Sequence, residues 1–480
     1  MLIESKKYKN YIEKVGMKMI TFRTIVCCMI LSIFTGCTIT QAPQMIQTPQ
    51  LATVEPSQPK PSRTITVVKS LPSVESYIQP SVVSITPTPT SESAQFHVKN
   101  HCPSVGWGLD EIDELPGTLV FGADNKLDFD RILSPIADYD PKLTFWMPQT
   151  KQTYFYTLIG DDLYYYFAES PDKEKLAFMQ GKQTPMPLDL MVVNQTGEEI
   201  TKIIVPDDWT FFNWLNDEQL LLRQYVMLLD VTRGEYDLVA VNFLSQEQEI
   251  LPSDLPDIYL SEQWAHWGSA TLFNPDADLV LYPIWLSDQT MMGSVLWNVD
   301  ENKEVTRIFG SGPARWSLDG RYLLLTVSAG KDYFDNRDEI FLIQPDGELT
   351  RITFLSDYYG PDDEYSFTLP AWSPDNSKIA FWIITQFPIK TAQLAVLDLE
   401  TSTVHLFCNE INPYPRRFGY DMLSSLGDYV RLQVNSAIPI WSPDSRYLLI
   451  EDDDDTLLFD TQIFTISKIA ENARPVGWLK

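Results

Sequence analysis

The 480-residue sequence has few of the residues and motifs on which catalytic sites usually depend. It contains four histidines, at positions 97, 101, 266 and 405. It has no Gly-x-Ser-x-Gly nucleophile elbow, no His-Glu-x-x-His pair and no glycine-rich loop of the kind that holds phosphate. The sequence therefore gives no support to serine-hydrolase, zinc-peptidase or nucleotide chemistry. We expect a protein without catalytic residues or an organic cofactor.

Basic residues are scarce as well. The chain has 36 lysines and arginines against 65 aspartates and glutamates, which gives a formal net charge of -29. Such a surface repels polyanions, so nucleic acid and anionic lipid headgroups are poor partners. Divalent cations and basic proteins would be attracted. The solubility of an exported protein explains the same acidity, and both interpretations remain open.

The apolar run at residues 25–34 is too short to cross a membrane, because about 20 residues are needed. It follows basic residues, as in a signal peptide. The sequence Phe-Thr-Gly-Cys at 34–37 resembles the bacterial lipobox, with Phe in place of the usual Leu. The resemblance implies a signal peptide at residues 1–36, lipidation of Cys37 and attachment to the cell membrane outside the cytoplasm. A plain secretory signal is the alternative, and Met17 or Met19 would be a more typical start than Met1.

Residues 37–99 are dominated by Pro, Thr, Ser and Gln and contain few aromatic residues. Such a segment cannot bury enough apolar surface to offset the entropy lost on ordering. We therefore expect a disordered tether between the membrane and a folded domain at residues 100–480.

The sequence WSPDNSKIAF at residues 372–381 recurs along that domain. Related segments are ESPDKEKLAF at 169–178, FNPDADLVLY at 273–282, WSLDGRYLLL at 316–325, WSPDSRYLLI at 441–450 and a weaker copy, WLNDEQLLLR, that begins at residue 214. Six copies spaced roughly 45 to 70 residues apart lie near or above the repeat lengths of propeller blades.

Each copy has the composition of a tight turn between strands. Proline presets the backbone φ angle, and an aspartate side chain can bond the local backbone. The recurring aspartates are therefore interpreted as structural turn residues: Asp172, Asp276, Asp319, Asp375 and Asp444. An apolar run such as KIAFWI follows each turn and predicts a strand buried on both faces. Two further strands separated by a polar turn complete a unit of four.

This pattern resembles the repeats of TolB-type β-propellers and of the propeller domains of prolyl oligopeptidase-like proteins. The resemblance covers residues 115–480 and implies an all-β propeller without a hydrolase domain. It does not indicate a ligand, since propellers serve many functions.

The chain ends predict how the ring closes. Strands at 118–122, 143–147 and 153–157 have no motif before them, while Trp478 aligns with Trp441 of the last copy. The C-terminal strand is therefore expected to join the first blade, which would remove an exposed sheet edge and give seven blades. Six or eight blades remain open, because residues 235–268 are poorly marked.

The predicted topology separates two faces of the disc. Turns after the first and third strands of each blade form one, which we call the motif-turn face. Long segments at 125–141, 251–270, 329–336, 355–369 and 408–437 fall on the other, the loop-rich face, where binding residues are expected. Its candidate ligand-contacting residues are Trp264, His266, Trp267, Tyr358, Tyr359, Asp362, Asp363, Tyr365, Tyr414, Arg416, Arg417 and Tyr420. The alternative is that these aromatic residues pack their own loops against the disc.

Two smaller features leave alternatives open. The acidic run at 451–455 is expected to turn between two strands of the last blade, where its oxygens would suit a structural divalent cation such as calcium. A solvated acidic hairpin is the simpler explanation. The mature chain would keep Cys102 and Cys408, and outside the cytoplasm this pair could form a disulfide.

Two functional hypotheses follow. The favoured one is a non-enzymatic, monomeric, lipid-anchored propeller that binds a protein, peptide or glycan through its loop-rich face. The alternative is an extracytoplasmic lyase or hydrolase with acidic residues in the central channel. Paired carboxylates with perturbed pKa values converging on the channel would favour the enzyme.

Overall fold

The computed structural model describes much of the chain from residue 96 onward, and these residues form a seven-bladed β-propeller. The described residues are 96–107, 114–123, 142–157, 163–181, 188–206, 209–226, 235–252, 255–256, 272–285, 292–309, 313–328, 337–360, 365–384, 392–411, 438–452, 455–471 and 473–480. The predicted signal peptide, Cys37 and the predicted tether up to residue 95 lie outside them. Over these ranges no helix has both the length and the apolar character needed to cross a membrane.

The first blade confirms the predicted ring closure. It consists of the C-terminal strand β30 (Ala473–Leu479) at the centre, then β3 (Thr118–Ala123), β4 (Lys142–Met147) and β5 (Gln152–Thr157). β30 pairs antiparallel with β3, with Trp478 opposite Leu119. The two ends of the propeller are thus joined in one sheet, as the alignment of Trp478 predicted.

The other six blades each use four consecutive strands, ordered from the centre of the disc outward. The second blade consists of β6 (Leu163–Glu169), β7 (Lys175–Gly181), β8 (Leu188–Asn194) and β9 (Glu199–Val205), and the third of β10 (Trp209–Trp214), β11 (Gln219–Val226), β12 (Glu235–Asn242) and β13 (Gln248–Ile250). The fourth consists of β14 (Leu272–Phe273), β15 (Leu279–Trp285), β16 (Met292–Asn298) and β17 (Lys303–Phe309), and the fifth of β18 (Ala314–Trp316), β19 (Leu323–Ser328), β20 (Asp338–Ile343) and β21 (Leu349–Arg351). The sixth consists of β22 (Ser366–Trp372), β23 (Lys378–Ile384), β24 (Ala392–Asp398) and β25 (Thr403–Ile411), and the seventh of β26 (Ile440–Trp441), β27 (Tyr447–Asp452), β28 (Asp455–Asp460) and β29 (Thr465–Ala470). Residues 235–268, where the repeat pattern is weak, contain strands β12 and β13 of the third blade. The propeller therefore has seven blades. One short helix, α1 (Leu355–Tyr358), connects the fifth and sixth blades.

Two N-terminal strands were not predicted. β1 (His97–His101) pairs in parallel with β25, and β2 (Val105–Trp107) pairs in parallel with β29. They add a fifth strand to the outer edges of the sixth and seventh blades. Backbone groups of these edges are therefore paired instead of being left open to another chain. Because β1 begins at His97, the predicted tether boundary at residue 99 falls inside a strand.

The core is divided among the spaces between blades. Seven clusters of buried apolar side chains each draw on two neighbouring blades. In one of them, Leu119 and Trp478 of the first blade pack with Tyr447 and Leu449 of the seventh. Hydrophobic burial therefore continues across the point where the chain ends meet.

The motif turns of the second, fifth, sixth and seventh blades share one hydrogen-bonded geometry. In the sixth blade Ser373 Oγ donates to Asp375 Oδ1 at 2.6 Å and accepts the Lys378 N–H at 2.9 Å. Asn376, the fifth residue of the motif, has a left-handed φ of 57°. Left-handed φ angles recur at this position in Lys173, Ala277, Gly320 and Ser445. The serine and aspartate thus stabilise a backbone conformation that non-glycine residues seldom adopt.

The motif aromatic residues connect each blade to the previous one. The indole N–H of Trp372 donates to the carbonyl oxygen of Arg315 at 3.2 Å, and that of Trp441 donates to Ala371 at 3.0 Å. The indoles of Trp214 and Trp316 bond the innermost strands of the second and fourth blades in the same way. A buried indole that finds such a partner combines apolar packing with a directional bond.

In the second blade, Glu169 occupies the position of the motif tryptophan. This residue and Lys173 hold the closing strand β30 in place. Glu169 pairs with Lys173 and accepts the backbone N–H of Trp478. The carbonyl oxygen of Lys173 accepts the Lys480 N–H at 2.6 Å, and Lys173 Nζ donates to the carbonyl oxygen of Trp441 at 3.2 Å. One ion pair therefore contacts the first, second and seventh blades.

Candidate functional site

The described part of the loop-rich face is best defined between the fifth and sixth blades. Here residues 352–360 lead from β21 toward β22 and include α1. Three predicted ligand-contacting residues belong to this region: Tyr358, Tyr359 and Tyr365. The remaining candidates lie outside the described residues: Trp264, His266, Trp267, Asp362, Asp363, Tyr414, Arg416, Arg417 and Tyr420.

A buried carboxylate fixes the 352–360 segment to the disc. Glu339, on β20, is 0% exposed, and its Oε1 accepts the Ser356 N–H at 2.8 Å. Its Oε2 accepts the Leu355 N–H at 3.1 Å and the Thr353 hydroxyl at 2.6 Å. Arg351 Nη2 donates to Oε1 at 2.7 Å. The carboxylate thus bonds the start of α1, where unpaired backbone N–H groups favour an anion.

The electrostatics of this cluster follow from its burial. Burial raises the pKa of Glu339, while Arg351, Thr353 and the backbone N–H groups act in the opposite direction. Burial also raises the pKa of Tyr365, and the nearby Glu339 adds to the shift. Tyr365 therefore remains a neutral phenol that can donate to Glu339, at 3.3 Å.

The three predicted tyrosines occupy different depths. Tyr358 is 45% exposed, whereas Tyr365 is 1% exposed and belongs to the core. Tyr359 lies between them, with ring centroids 5.1 Å from Tyr358 and 4.8 Å from Tyr365. The series continues inward, since the Tyr365 ring lies 5.6 Å from Phe367. The exposed ring of Tyr358 therefore belongs to a continuous series of aromatic contacts that ends in the hydrophobic core.

The N-terminal lead-in supports the same region from outside the disc. Asn100 Nδ2, on β1, donates to the Tyr358 hydroxyl at 2.7 Å. A disulfide joins Cys102 to Cys408 of β25, with the Cα atoms 4.9 Å apart. Asn409 Nδ2 donates to the carbonyl oxygen of Pro103 at 3.3 Å. The Cys102–Cys408 disulfide, which the sequence left as a possibility, is therefore present. It attaches the N-terminal lead-in to the sixth blade.

Two of the four histidines meet beside this disulfide. His101 Nε2 lies 3.0 Å from His405 Nδ1, and the His101 ring stacks on Phe464 at 3.8 Å. Burial, with His101 and Lys99 as further causes, lowers the pKa of His405 to about 4. Burial and Lys99 also lower the pKa of His101. Both rings are therefore neutral near pH 7 and pack as aromatic groups.

The acidic run at 451–455 lies at the predicted place, between β27 and β28 of the seventh blade. Two of its described carboxylates, Glu451 and Asp455, have basic partners. Glu451 lies 3.3 Å from Arg474, and Asp455 lies 2.6 Å from Lys468. Across the described ranges, no group of three or more His, Cys, Asp or Glu residues is arranged to hold a metal ion.

The motif aspartates lie in turns on the motif-turn face, bonded within their turns and to neighbouring ones. The Asp172 N–H donates to Asp217 Oδ1 at 2.8 Å, and the Asp375 N–H donates to Ser445 Oγ at 3.1 Å, in each case between adjacent blades. Burial alone would raise the pKa of Asp172 and Asp375, but hydrogen bonds from Ser170 and Ser373 contribute to holding both below the usual range. Ionised carboxylates with these partners organise the turns.

In the fourth blade the motif has Asn274 at the position that is serine in the second, fifth, sixth and seventh blades. Asn274 Nδ2 donates to Asp278 Oδ1 at 2.6 Å, and Asn274 Oδ1 accepts the Leu279 N–H at 2.9 Å. Asp276 lies in the same turn. In the fifth and seventh blades Asp319 and Asp444 accept bonds from the motif serines, as Asp375 does in the sixth.

The channel enclosed by the innermost strands bears on the enzymatic hypothesis. Among the described side chains of those strands, Glu169 is the one carboxylate. Lys173 and the Trp478 N–H already contact its oxygens. A pair of converging carboxylates, as an acid and a base would require, is not formed by this described part of the channel.

Sequence reasoning missed Glu339, the residue that organises the described part of the loop-rich face. A signal was present in the strand DEIFLI, where two acidic residues directly precede an apolar run. A charged residue at a buried strand position needs a partner. Its partner Arg351 lies 12 residues further along the chain, in the next strand of the same blade.

No protein-family model matches the sequence. No curated protein matches it either. Solved structures do match: TolB from Acinetobacter baumannii is 15% identical with a TM-score of 0.37, over 71% of this chain and 80% of that one. An oligogalacturonate lyase in complex with manganese is 12% identical with a TM-score of 0.44, over 76% of this chain and 86% of that one. An oligogalacturonate lyase from Vibrio parahaemolyticus is 10% identical with a TM-score of 0.42, over 74% and 86%.

The protein is thus an all-β, seven-bladed propeller, an architecture given by its own strand pairing. Its structural neighbours include TolB-type propellers at low identity. These similarities do not distinguish a binding protein from an enzyme.

Proposed function

We propose that this protein is a non-enzymatic, lipid-anchored propeller that acts outside the cytoplasm and binds a protein, peptide or glycan through its loop-rich face. The observation that carries the proposal is the presentation of Tyr358. The residue is 45% exposed, yet its ring contacts Tyr359 and its hydroxyl accepts a hydrogen bond from Asn100.

A tyrosine held in this way is suited to recognition. Its ring offers a large contact area and its hydroxyl a hydrogen-bonding group, and both are already ordered before a partner arrives. The bonds from Glu339 to the backbone of α1 hold the supporting segment, so binding would cost little further conformational entropy.

The proposed location is supported by two features. The lipobox-like sequence ending at Cys37 provides an attachment point, and residues 38–95 provide a length of chain between it and the propeller. The Cys102–Cys408 disulfide supports an oxidising compartment, because structural disulfides are rare in the cytosol.

Binding is tested by capturing partners with the purified protein and comparing Tyr358→Ala with Tyr322→Ala. Tyr322 is a matched control, since it is 36% exposed in a motif turn on the opposite face. We expect Tyr358→Ala to lose a protein or glycan that the wild type and Tyr322→Ala both retain. Equal retention by all three proteins would contradict the proposed face.

The anchor is tested separately by Cys37→Ser. We expect the wild type to incorporate labelled fatty acid and to sediment with membranes, and the variant to do neither. Cys28→Ser is the control, because Cys28 lies within the proposed signal peptide. Membrane association that survives Cys37→Ser would contradict lipid attachment at this residue.

A further inference from the structure

The innermost strand of the fifth blade places an arginine where the other blades have uncharged residues. Arg315 directly precedes the motif tryptophan, and its carbonyl oxygen accepts the indole N–H of Trp372. The same backbone position accepts an indole in the second, fourth and sixth blades, where the residues are Ala168, Leu272 and Ala371. Alanine suffices for this structural role in two blades, so the role does not explain a guanidinium in the fifth.

The guanidinium of Arg315 has no hydrogen-bond partner among the described residues, although arginine offers five N–H donors. The carboxylate that acts on it electrostatically is Glu169, on the innermost strand of the second blade. The second and fifth blades lie on opposite sides of a seven-bladed ring, so this attraction runs across the central channel. Lys173 and the Trp478 N–H already contact Glu169.

Arg315 belongs to β18, the innermost strand of the fifth blade, which borders the central channel. Burial lowers the pKa of its guanidinium, and Glu169 raises it. The residue as a whole is half-buried. The group stays protonated at ordinary pH. Glu169, Lys173 and Arg315 together carry one positive charge more than they carry negative, at the centre of a chain whose net charge is -29.

We propose that the central channel binds an oxyanion, the carboxylate or phosphate group of a ligand, at the Arg315 guanidinium. The planar guanidinium matches two oxygens of such a group, and a partly desolvated arginine gains more from this pairing than an exposed one. This site is independent of the loop-rich face and adds a second, chemically distinct contact to the propeller.

Calorimetric titration of the detergent-solubilised full chain with sodium acetate and, separately, inorganic phosphate tests this proposal at constant ionic strength. We expect Arg315→Ala to bind the preferred anion at least about tenfold more weakly than the wild type, because a hydrogen-bonded charge pair is lost. Arg321→Ala is the matched control, since Arg321 is exposed on the motif-turn face and pairs with Asp319. Its affinity should equal that of the wild type.

The two titrations identify the chemical source of the anion. Tighter binding of acetate assigns a carboxylate ligand, and tighter binding of phosphate assigns a phosphorylated one. Loss of binding in Arg315→Ala with retention in Arg321→Ala supports the site in either case. Equal affinities in all three proteins, or no binding to the wild type, overturn it. Should Arg315→Ala fail to fold, Arg315→Gln replaces it, with the same expected loss and the same contradicting result.

Discussion

The indole nitrogen of Trp372 lies 3.2 Å from the carbonyl oxygen of Arg315, so the sixth blade is hydrogen-bonded to the fifth at the centre of the disc. The same bond links Trp441 of the seventh blade to Ala371 of the sixth. The tryptophan of the repeated motif therefore contributes to contacts between blades, while the aspartate organises the turn that follows it.

Replacing Trp372 separates the hydrogen bond from the packing. We expect Trp372→Phe to lower the free energy of unfolding by roughly 1 to 2 kcal/mol, because it loses one hydrogen bond and some apolar area. Trp372→Ala should cost about 3 to 5 kcal/mol, because it also leaves a cavity. Chemical denaturation measures both. Equal losses in the two variants would show that the indole N–H, and not the ring, dominates the contact.

Removing the charge of Glu339 should release the 352–360 segment. Glu339→Gln presents an amide to N–H donors and leaves Arg351 without its carboxylate, so we expect a loss of roughly 3 kcal/mol or more. Hydrogen exchange should show faster exchange of the Leu355 and Ser356 amides. Glu304→Gln is the control, since its partly exposed pair with Arg307 should contribute about 0 to 1 kcal/mol. Unchanged protection of both amides would contradict the role given to Glu339.

The histidine pair predicts a pH dependence of stability. The pKa of His405 in the folded protein is lowered to about 4, below an unfolded value near 6.5. The unfolded chain therefore takes up a proton before the folded protein does, and stability is lost as pH falls from about 6.5 toward about 4.

We expect His405→Phe to reduce this loss, measured as the change in unfolding temperature across that window. His97→Phe should leave the loss unchanged, because His97 is exposed, on β1, the strand that also carries His101. A wild type and a His405→Phe variant with identical pH profiles would contradict the assignment.

The disulfide predicts the thiol content of the folded domain. The mature wild-type protein, in which lipid blocks the Cys37 thiol, should show no free thiol when denatured without reductant. In the chain-entropy model, closing a loop of 306 residues stabilises the folded protein by at most roughly 6 kcal/mol. Reduction should therefore lower the unfolding temperature and speed amide exchange in β1. Two free thiols before reduction would contradict the bond.

Local patterns in the sequence were sufficient to predict the scaffold. The motif turns and the apolar runs after them mark the first two strands of the second to seventh blades, and the unmatched Trp478 predicted the closing strand of the first. The turns and the apolar runs depend on residues that are close together in the sequence. Because the motif is repeated, aligning its copies shows which residues occupy equivalent positions in each blade. The weaker copy at residue 214 has a turn one residue shorter, since Trp214 pairs with Leu220 while Trp441 pairs with Leu448.

The candidate site was less predictable because its contacts join distant parts of the chain. Asn100 and Tyr358 are 258 residues apart, and His101 and His405 are 304 apart. The parallel addition of β1 has no local signature, since its pairing depends on a sheet edge formed elsewhere. Tyr358 and Tyr365 look alike in the sequence, but Tyr358 is exposed while Tyr365 is buried beside Glu339 of another strand.

The most direct test of binding through the loop-rich face places a photo-crosslinking phenylalanine derivative at Tyr358 or at Tyr322 in the intact, membrane-attached protein. These two positions are on opposite faces and are similarly exposed, at 45% and 36%. We predict a discrete covalent adduct with a protein or glycan from position 358 and none from position 322. An adduct from position 322 alone, or equal adducts from both, would contradict the account.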